Sequence, residues 1–135
     1  MKIVLDTNVL VSGMFYSGPP SKILDGWRGG KFKLVLTPDI LSEYKIIVEH
    51  LGKGFPTIES SLFLELLVIE SEMCNPLVLI HPVCTDPDDD KFFAAAISGG
   101  ASIIVSGDKH LLRATGYRGI EVLPPRQFVE RFLRS

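Results

Sequence analysis

Short runs of apolar, often β-branched residues alternate along this chain with longer segments in which apolar positions recur every three or four residues. The short runs predict five strands, at residues 2–5, 32–36, 77–80, 102–105 and 120–123. The longer segments predict six helices, at residues 21–28, 38–51, 57–73, 87–98, 109–115 and 125–133. Strands separated by helices are typical of βαβ units, so we predict a parallel sheet covered by helices on both faces.

The size of the chain fits one domain. Its 135 residues, 46% of them hydrophobic, are enough to bury an ordinary core. We therefore expect a single domain over residues 1–135, with three α/β/α layers around a central five-stranded parallel sheet. Ligands of open α/β sheets bind beyond the carboxyl ends of the strands, so the residues just after each strand are the first candidates for a site.

Two acidic residues come after predicted strands. Asp6 comes directly after the first strand, and Asp108 comes shortly after the fourth. Each can simply cap the next helix by accepting a backbone N–H bond, and for Asp108 taken alone the cap is the favoured interpretation. The other interpretation is that both carboxylates lie at one edge of the sheet, with Asn8 and Ser106 as polar neighbours.

A third acidic residue, Glu43, lies beside an apolar helical stripe. It stands three positions after Ile40 and four before Ile47. This spacing draws the carboxylate partly inward, where an unpaired charge is costly. An exposed position at the edge of the stripe is an equally good explanation.

The fourth candidate closes an acidic run at residues 85–90. In that run Asp86 can serve as the N-cap of a helix that has Pro87 at its first position. Asp90 differs because Phe93 and Ala94 stand three and four residues after it, which places its carboxylate on the core-facing stripe. The aspartates at positions 86, 88 and 89 offer other registers for the same role.

Carboxylates that converge from distant segments can bind a divalent cation. Mg²⁺ and Mn²⁺ prefer hard oxygen ligands, and a cluster without Cys or His suits them better than zinc. The three histidines share no ligand spacing, and we expect His110 to be exposed. Cys74 and Cys84 lack a zinc-site spacing and fit a reducing cytoplasm as small buried hydrophobes.

The overall charge limits how the chain could meet nucleic acid. Its 14 basic and 16 acidic residues give a formal charge of −2 and a pI near 5.9. This balance lacks the basic excess of proteins held to nucleic acid mainly by electrostatics, so any such contact must be local or carried by metal. No apolar stretch is long enough for a membrane span, and we expect a cytoplasmic protein.

Five features stand out in a fixed order along the chain. They are VLDTNVL at residues 4–10, Glu43, DKFFAAA at residues 90–96, VSGDKHL at residues 105–111, and IEVLPPRQF at residues 120–128. In this order and spacing they resemble the PIN-domain family of metal-dependent ribonucleases, in particular the small toxins of toxin–antitoxin pairs.

The resemblance implies that Asp6, Glu43, Asp90 and Asp108 are catalytic residues and ligands of Mg²⁺ or Mn²⁺. Asn8 and Ser106 would support the site. Lys109 and Arg113, on one helical face, are candidates for contact with the substrate backbone, although a solvated helix surface is the favoured interpretation of both. The implied activity is hydrolysis of single-stranded RNA to 5′-phosphate and 3′-hydroxyl ends. The implied partners are an antitoxin and a second copy of the chain, with exposed apolar residues such as Trp27 and Phe55 contributing to a homodimer.

Other functions remain open from the sequence. A catalytically silent module of the same fold would bind RNA or a protein partner without cleaving it. A receiver or phosphotransfer domain needs its key Asp after the middle strand, where this chain has His81 and Pro82. A dinucleotide-binding domain is disfavoured because DTN at residues 6–8 occupies the place of a glycine-rich turn.

Overall fold

A computed structural model describes residues 1–76, 78–79 and 81–134. The strands are β1 (Lys2–Leu5), β2 (Lys33–Leu36), β3 (Glu72–Met73), β4 (Ile103–Val105) and β5 (Glu121–Leu123). The α-helices in the described residues are α1 (Thr7–Phe15), α2 (Pro19–Arg28), α3 (Pro38–Gly52), α4 (Ser60–Glu70), α5 (Asp90–Gly99), α6 (Lys109–Arg113) and α7 (Pro125–Phe132). Two 3₁₀ turns lie at Pro87–Asp89 and Tyr117–Gly119.

All five strands are parallel and form one sheet in the order β3-β2-β1-β4-β5. The chain builds outward from β1 through β2 to β3 and then returns to the other side of β1 with β4 and β5. The strand order therefore reverses between β1 and β4, which is where open α/β sheets form a ligand crevice. This architecture confirms the predicted fold class.

Helices cover the sheet. Helix α5 packs on β1, β2 and β4, and α1 packs against α2 and α3. The three central strands read KIVL, KLVL and IIV, and nearly all of their side chains are buried, as expected for a parallel sheet covered on both faces. The main core joins these strands to aromatic residues of the helices, such as Phe93 and Phe128.

The third strand lies earlier in the chain than the sequence predicts. The predicted range is 77–80; residues 77 and 80 lie outside the described residues, and Val78 and Leu79 are not in a strand. The sheet instead takes the two residues of β3, which pair with Val35 and Leu36 of β2. A two-residue edge strand with half-exposed side chains carries no apolar run, so hydrophobic patterning misses it and extends helix α4 over it.

Helix α1 is the element that the sequence did not predict. Its residues VLVSGMF carry almost no polar face, and Val9, Leu10, Val11 and Phe15 are all buried. A helix that is apolar nearly all round lacks the two-sided pattern that identifies surface helices. The remaining predicted elements agree with the structure to within two or three residues at their ends.

Neither of the two aromatic residues expected at an exposed dimer surface is exposed. Trp27 is 5% exposed and belongs to the main core, where it meets Phe63. Phe55 is half-buried and stacks on Phe15 with 5.0 Å between ring centroids. The large apolar side chains that do reach the surface include Ile46, Leu62 and Ile69 on α3 and α4.

Candidate active site

Residues from four separate segments line a cleft of about 250 Å³ at the carboxyl ends of β1 and β4. The lining residues are Asp6, Thr7, Asn8, Glu43, Ile47, Asp89, Phe92 and Asp108. The cleft thus lies at the place where the strand order reverses, and it brings together carboxylates that are far apart in sequence.

The end of β1 fixes Asp6. The strand register continues past Leu5, so the Asp6 backbone N–H donates to the Val105 carbonyl at 3.1 Å. One carboxylate oxygen caps α1 by accepting from the Val9 N–H at 2.8 Å, and the other accepts from the Ser106 hydroxyl. Asp6 is therefore both a helix cap and a member of the cleft.

Burial perturbs the Asp6 carboxyl strongly. The residue is only 4% exposed, and burial raises its pKa from 3.8 to about 6. Hydrogen bonds from Ser106 and Val9 oppose this rise, while the charges of Asp108 and Asp89 add to it. The buried carboxylate therefore faces two like charges across the cleft.

The end of β4 places Asp108. Ser106 is fully buried, and its hydroxyl oxygen accepts from the Asp108 N–H at 2.9 Å while it donates to Asp6. The Asp108 carboxylate caps α6 by accepting from the His110 N–H at 2.7 Å. Capping and membership of the cleft are again compatible, so the two interpretations of Asp108 do not exclude each other.

Glu43 of helix α3 is held at the cleft by two side-chain contacts. Hydrophobic patterning does not predict either of them. One carboxylate oxygen accepts from the Thr7 hydroxyl, and the other pairs with Lys91 Nζ at 2.9 Å. Tyr44, next to Glu43, is buried and donates from its hydroxyl to the Leu5 carbonyl at the end of β1. Burial raises the pKa of Tyr44 well above its usual value, so the phenol stays protonated and holds α3 against β1.

The acidic run before α5 supplies Asp89 rather than Asp90. Asp89 ends the 3₁₀ turn and lines the cleft, and burial, together with the charge of Asp108, raises its pKa. The Asp90 carboxylate turns back to the preceding loop, where its two oxygens accept from the N–H groups of Val83 and Cys84 at 3.1 and 2.7 Å. The neighbouring register, which the sequence also offers, is thus the one that lines the cleft, and the role of Asp90 as a catalytic residue and metal ligand stays a prediction.

The physical reason lies in the turn before the helix. Asp86 caps the 3₁₀ turn by accepting from the Asp88 N–H, as predicted. This turn ends at Asp89, and α5 begins only at Asp90. The prediction treats residues 87–98 as one α-helix with 3.6 residues per turn and uses that spacing to decide which side chain faces inward. The 3₁₀ turn is tighter, so the angle between neighbouring side chains differs from that of an α-helix.

The other predicted site residues differ in their relation to the cleft. Asn8 is exposed at its rim. Lys109 and Arg113 are exposed on α6 and do not line the cleft. His110 is half-buried, contrary to the expected exposure, and its Nδ1 is a buried atom without a hydrogen-bond partner in the described residues.

The two cysteines are free thiols. Cys84 is buried beside Asp90, and burial raises its pKa to about 12, with the hydrogen bond to Asp90 and its charge adding to the rise. Cys74 is half-buried and its sulfur lies 3.4 Å from the Leu36 carbonyl. Neither thiol is in the reactive thiolate form at neutral pH, because burial raises the pKa of both.

The described side chains of the cleft do not form a complete metal-binding site. Among the described residues, no three His, Cys, Asp or Glu side chains stand close enough to hold an ion together. Every charged donor that lines the cleft is nevertheless a carboxylate, which is the ligand chemistry of Mg²⁺ and Mn²⁺. Within the part of the chain that the structure describes, no helix is long and apolar enough to cross a membrane.

The fold and the cleft define a class of protein, an open parallel α/β domain with an acidic site at the reversal of its strand order. A sequence profile described as PIN domain matches residues 2–110, which is most of the chain. The chain belongs to the PIN-domain family, whose members are generally nucleases that use divalent metal ions.

A relative from Methanocaldococcus jannaschii covers more of the chain than the family profile does. This relative, named uncharacterized protein MJ1680, is 32% identical over 148 aligned residues that cover 98% of this chain and 92% of the relative. The similarity therefore includes the segment after residue 110, with β5 and α7. No solved structure gave a significant match.

Proposed function

We propose that this protein is a metal-dependent endoribonuclease that hydrolyses single-stranded RNA. The observation that supports this best is the meeting of Asp6, Glu43, Asp89 and Asp108 in one cleft. A buried carboxylate that faces other carboxylates destabilises the folded state, so a purely structural role does not explain it. Perturbed titratable groups in a cleft are typical of functional sites.

The donor set fits Mg²⁺ or Mn²⁺. Mg²⁺ usually keeps several of its waters and takes one or two carboxylates together with substrate phosphates, so it does not need a closed protein cage. Asp6 would hold the ion, with Asp89 and Asp108 as its neighbours in the cleft and Glu43 acting directly or through water. A cation here would also favour the ionised form of Asp6, whose pKa is raised by burial and, to a smaller extent, by the charges of Asp108 and Asp89.

A bound divalent ion supplies an acidified water and positive charge for the phosphodiester that is cleaved. The protein's own residues position this chemistry. Ser106 and the Val9 N–H fix the orientation of the Asp6 carboxylate, and Thr7 fixes that of Glu43. Asn8 is exposed at the rim, and its amide could donate a hydrogen bond to a phosphate oxygen of the substrate.

The substrate backbone would run past the cleft over α6. Lys109 and Arg113 are exposed there, four residues apart on one helical face and close in sequence to Asp108. Contacts from such residues to phosphates position a nucleic acid without reading its sequence. Because water rather than the ribose 2′-hydroxyl would be the nucleophile, we expect products with 5′-phosphate and 3′-hydroxyl ends.

Cleavage of a labelled single-stranded RNA tests the proposal. We expect cleavage in Mg²⁺ or Mn²⁺, none in EDTA, and none for Asp6→Asn or Asp89→Asn, with both variants folded by circular dichroism. Asp25→Asn, on the exposed face of α2, is a matched control that should cleave normally. Full activity of both cleft variants, or products with 2′,3′-cyclic phosphate ends, would refute the proposal.

A catalytically silent module that binds RNA or a protein is the second candidate. It is favoured by the pairing of Glu43 with Lys91, which engages one carboxylate of the cleft without a metal ion. Calorimetric titration with Mn²⁺ separates the two candidates. Binding that Asp6→Asn abolishes supports the nuclease, and no binding by the unaltered protein supports the silent module.

The toxin role, an antitoxin partner and a homodimer are further proposals that rest on the family resemblance. Exposed apolar side chains on α3 and α4, such as Ile46, Leu62 and Ile69, support a protein partner on that face. Purification from the native host, combined with mass measurement of the complex in solution, tests both partners. Recovery as a monomer alone would contradict them.

A further inference from the structure

Lys91 forms an ion pair with Glu43, one of the carboxylates that line the proposed metal site. It is the second residue of α5, and its Nζ lies 2.9 Å from Glu43 Oε1. The same ammonium donates to the Asp88 carbonyl at 2.9 Å and lies 5.2 Å from the centroid of the Phe92 ring. The Lys91 side chain is only 19% exposed, so these contacts hold it against the cleft rather than in solvent.

This ion pair differs in position from the other two in the described residues. Lys2 pairs with Glu72 at the sheet edge, and Arg131 pairs with Glu121 near the end of the chain. Both of those pairs lie outside the cleft, and their side chains are 38–49% exposed, compared with 19% for Lys91 and 36% for Glu43. The Lys91 pair is thus the one that neutralises a carboxylate of the candidate site.

The pair leaves Glu43 with both oxygens in use. Lys91 occupies Oε1, and the Thr7 hydroxyl donates to Oε2. An ammonium and a divalent cation on one carboxylate repel each other, because like charges a few ångströms apart are costly in a partly buried site. A metal ion that reached Glu43 would therefore meet Lys91 already in place.

We propose that Lys91 is an internal counter-ion that holds Glu43 in the metal-free protein and competes with the divalent cation for it. This inference rests on the proposed function, since it needs a metal that binds in the cleft. Lys91 is a positioning residue in this scheme, because it acts through Glu43. A lysine suits the role, since its flexible stem lets the ammonium move away when the carboxylate changes partner.

Mn²⁺ titration of Lys91→Met by calorimetry tests the competition. Methionine keeps the apolar stem and removes the charge. An exposed or partly exposed ion pair contributes about 0.2–1 kcal/mol, which converts to a Kd for Mn²⁺ about 1.4- to fivefold lower in Lys91→Met. Lys91→Arg, which keeps the charge, should bind Mn²⁺ like the unaltered protein.

Two controls separate competition for Glu43 from a general change of charge. Lys2→Met removes one positive charge from an ion pair of the same 2.9 Å length outside the cleft, and we expect no change in Mn²⁺ affinity. In a Glu43→Gln background, Lys91→Met should give no further gain. A gain of the same size in that background would show that Lys91 acts only through the overall field, and it would overturn the inference.

The outcomes distinguish this inference from the proposed function. If the unaltered protein binds Mn²⁺ and Lys91→Met binds it with the same Kd, the counter-ion role is refuted while the nuclease proposal stands. If neither binds Mn²⁺, the metal-dependent function fails and the counter-ion role fails with it. If Lys91→Met does not fold, Lys91→Gln replaces it. The measurement is then the increase in melting temperature on adding Mn²⁺, compared with that of the unaltered protein.

Discussion

Replacing Asp6 by Asn should stabilise the metal-free protein at neutral pH, although it removes the charge that strengthens two hydrogen bonds in the site. The two side chains have nearly the same shape, so packing around the buried position is preserved. The substitution removes the cost of holding an ionised carboxylate in a buried site that faces Asp89 and Asp108. The variant therefore separates the electrostatic cost of the cleft from its catalytic use.

The size of the effect is set by the pKa of Asp6, which rises from 3.8 to about 6 on folding. The folded protein binds the proton more tightly than the unfolded chain, so the free energy of unfolding falls as pH rises through this range. A tenfold change in proton affinity corresponds to about 1.4 kcal/mol, so the free energy of unfolding is lower by about 3 kcal/mol above pH 6 than below the unfolded pKa. Asn keeps an acceptor for Val9 but weakens the bond to Ser106, which costs about 1 kcal/mol and leaves a net gain of about 2 kcal/mol.

Urea unfolding in EDTA at a series of pH values measures this gain. We expect the unaltered protein to lose stability between the unfolded pKa of 3.8 and about pH 6, and Asp6→Asn to show a flatter profile over the same range. Asp25→Asn, at an exposed position, should behave like the unaltered protein. Equal or lower stability of Asp6→Asn near neutral pH, with an unchanged pH profile, would refute the view that the cleft carries an uncompensated charge.

Three further changes test other parts of the structure. Asp90→Ala leaves two loop amides without their acceptor, so we expect a loss of about 1–3 kcal/mol in urea unfolding and faster proteolysis of the loop before α5, with metal affinity retained. Tyr44→Phe removes the buried bond to the Leu5 carbonyl and should cost about 1 kcal/mol by the same assay; an unaltered midpoint would show that this bond does not hold α3. Gly99→Ala would place its Cβ 2.3 Å from a methyl of Val35, so α5 must shift on the sheet, and we expect a loss of about 1–3 kcal/mol, detected as a lower melting temperature.

Much of the fold could be predicted from hydrophobic patterning. The runs that form β1, β2, β4 and β5 are buried on both faces, so their sequences carry a strong local signal. The two failures have local causes. Helix α1 is apolar nearly all round, and β3 is a two-residue edge strand recruited by pairing with β2 rather than by its own composition.

The candidate site could be predicted only in part. Asp6 and Asp108 could be identified because parallel strands bring the residues after their carboxyl ends to one edge of the sheet. The choice between Asp89 and Asp90 depended on a 3₁₀ turn that helical periodicity does not represent. The pairing of Lys91 with Glu43 joins two helices that are distant in sequence, and no spacing rule connects them.

Hydrophobic patterning was enough to identify the residues of a parallel sheet and the carboxylates that come after its strands, because both are encoded in short local segments. The set of acidic residues that share the cleft, and the pairing of Lys91 with Glu43, came from the tertiary structure. Both depend on how α3 and α5 pack against the end of β1. Packing between segments that are distant in sequence sets the directions of their side chains, and local sequence patterns carry no information about those directions.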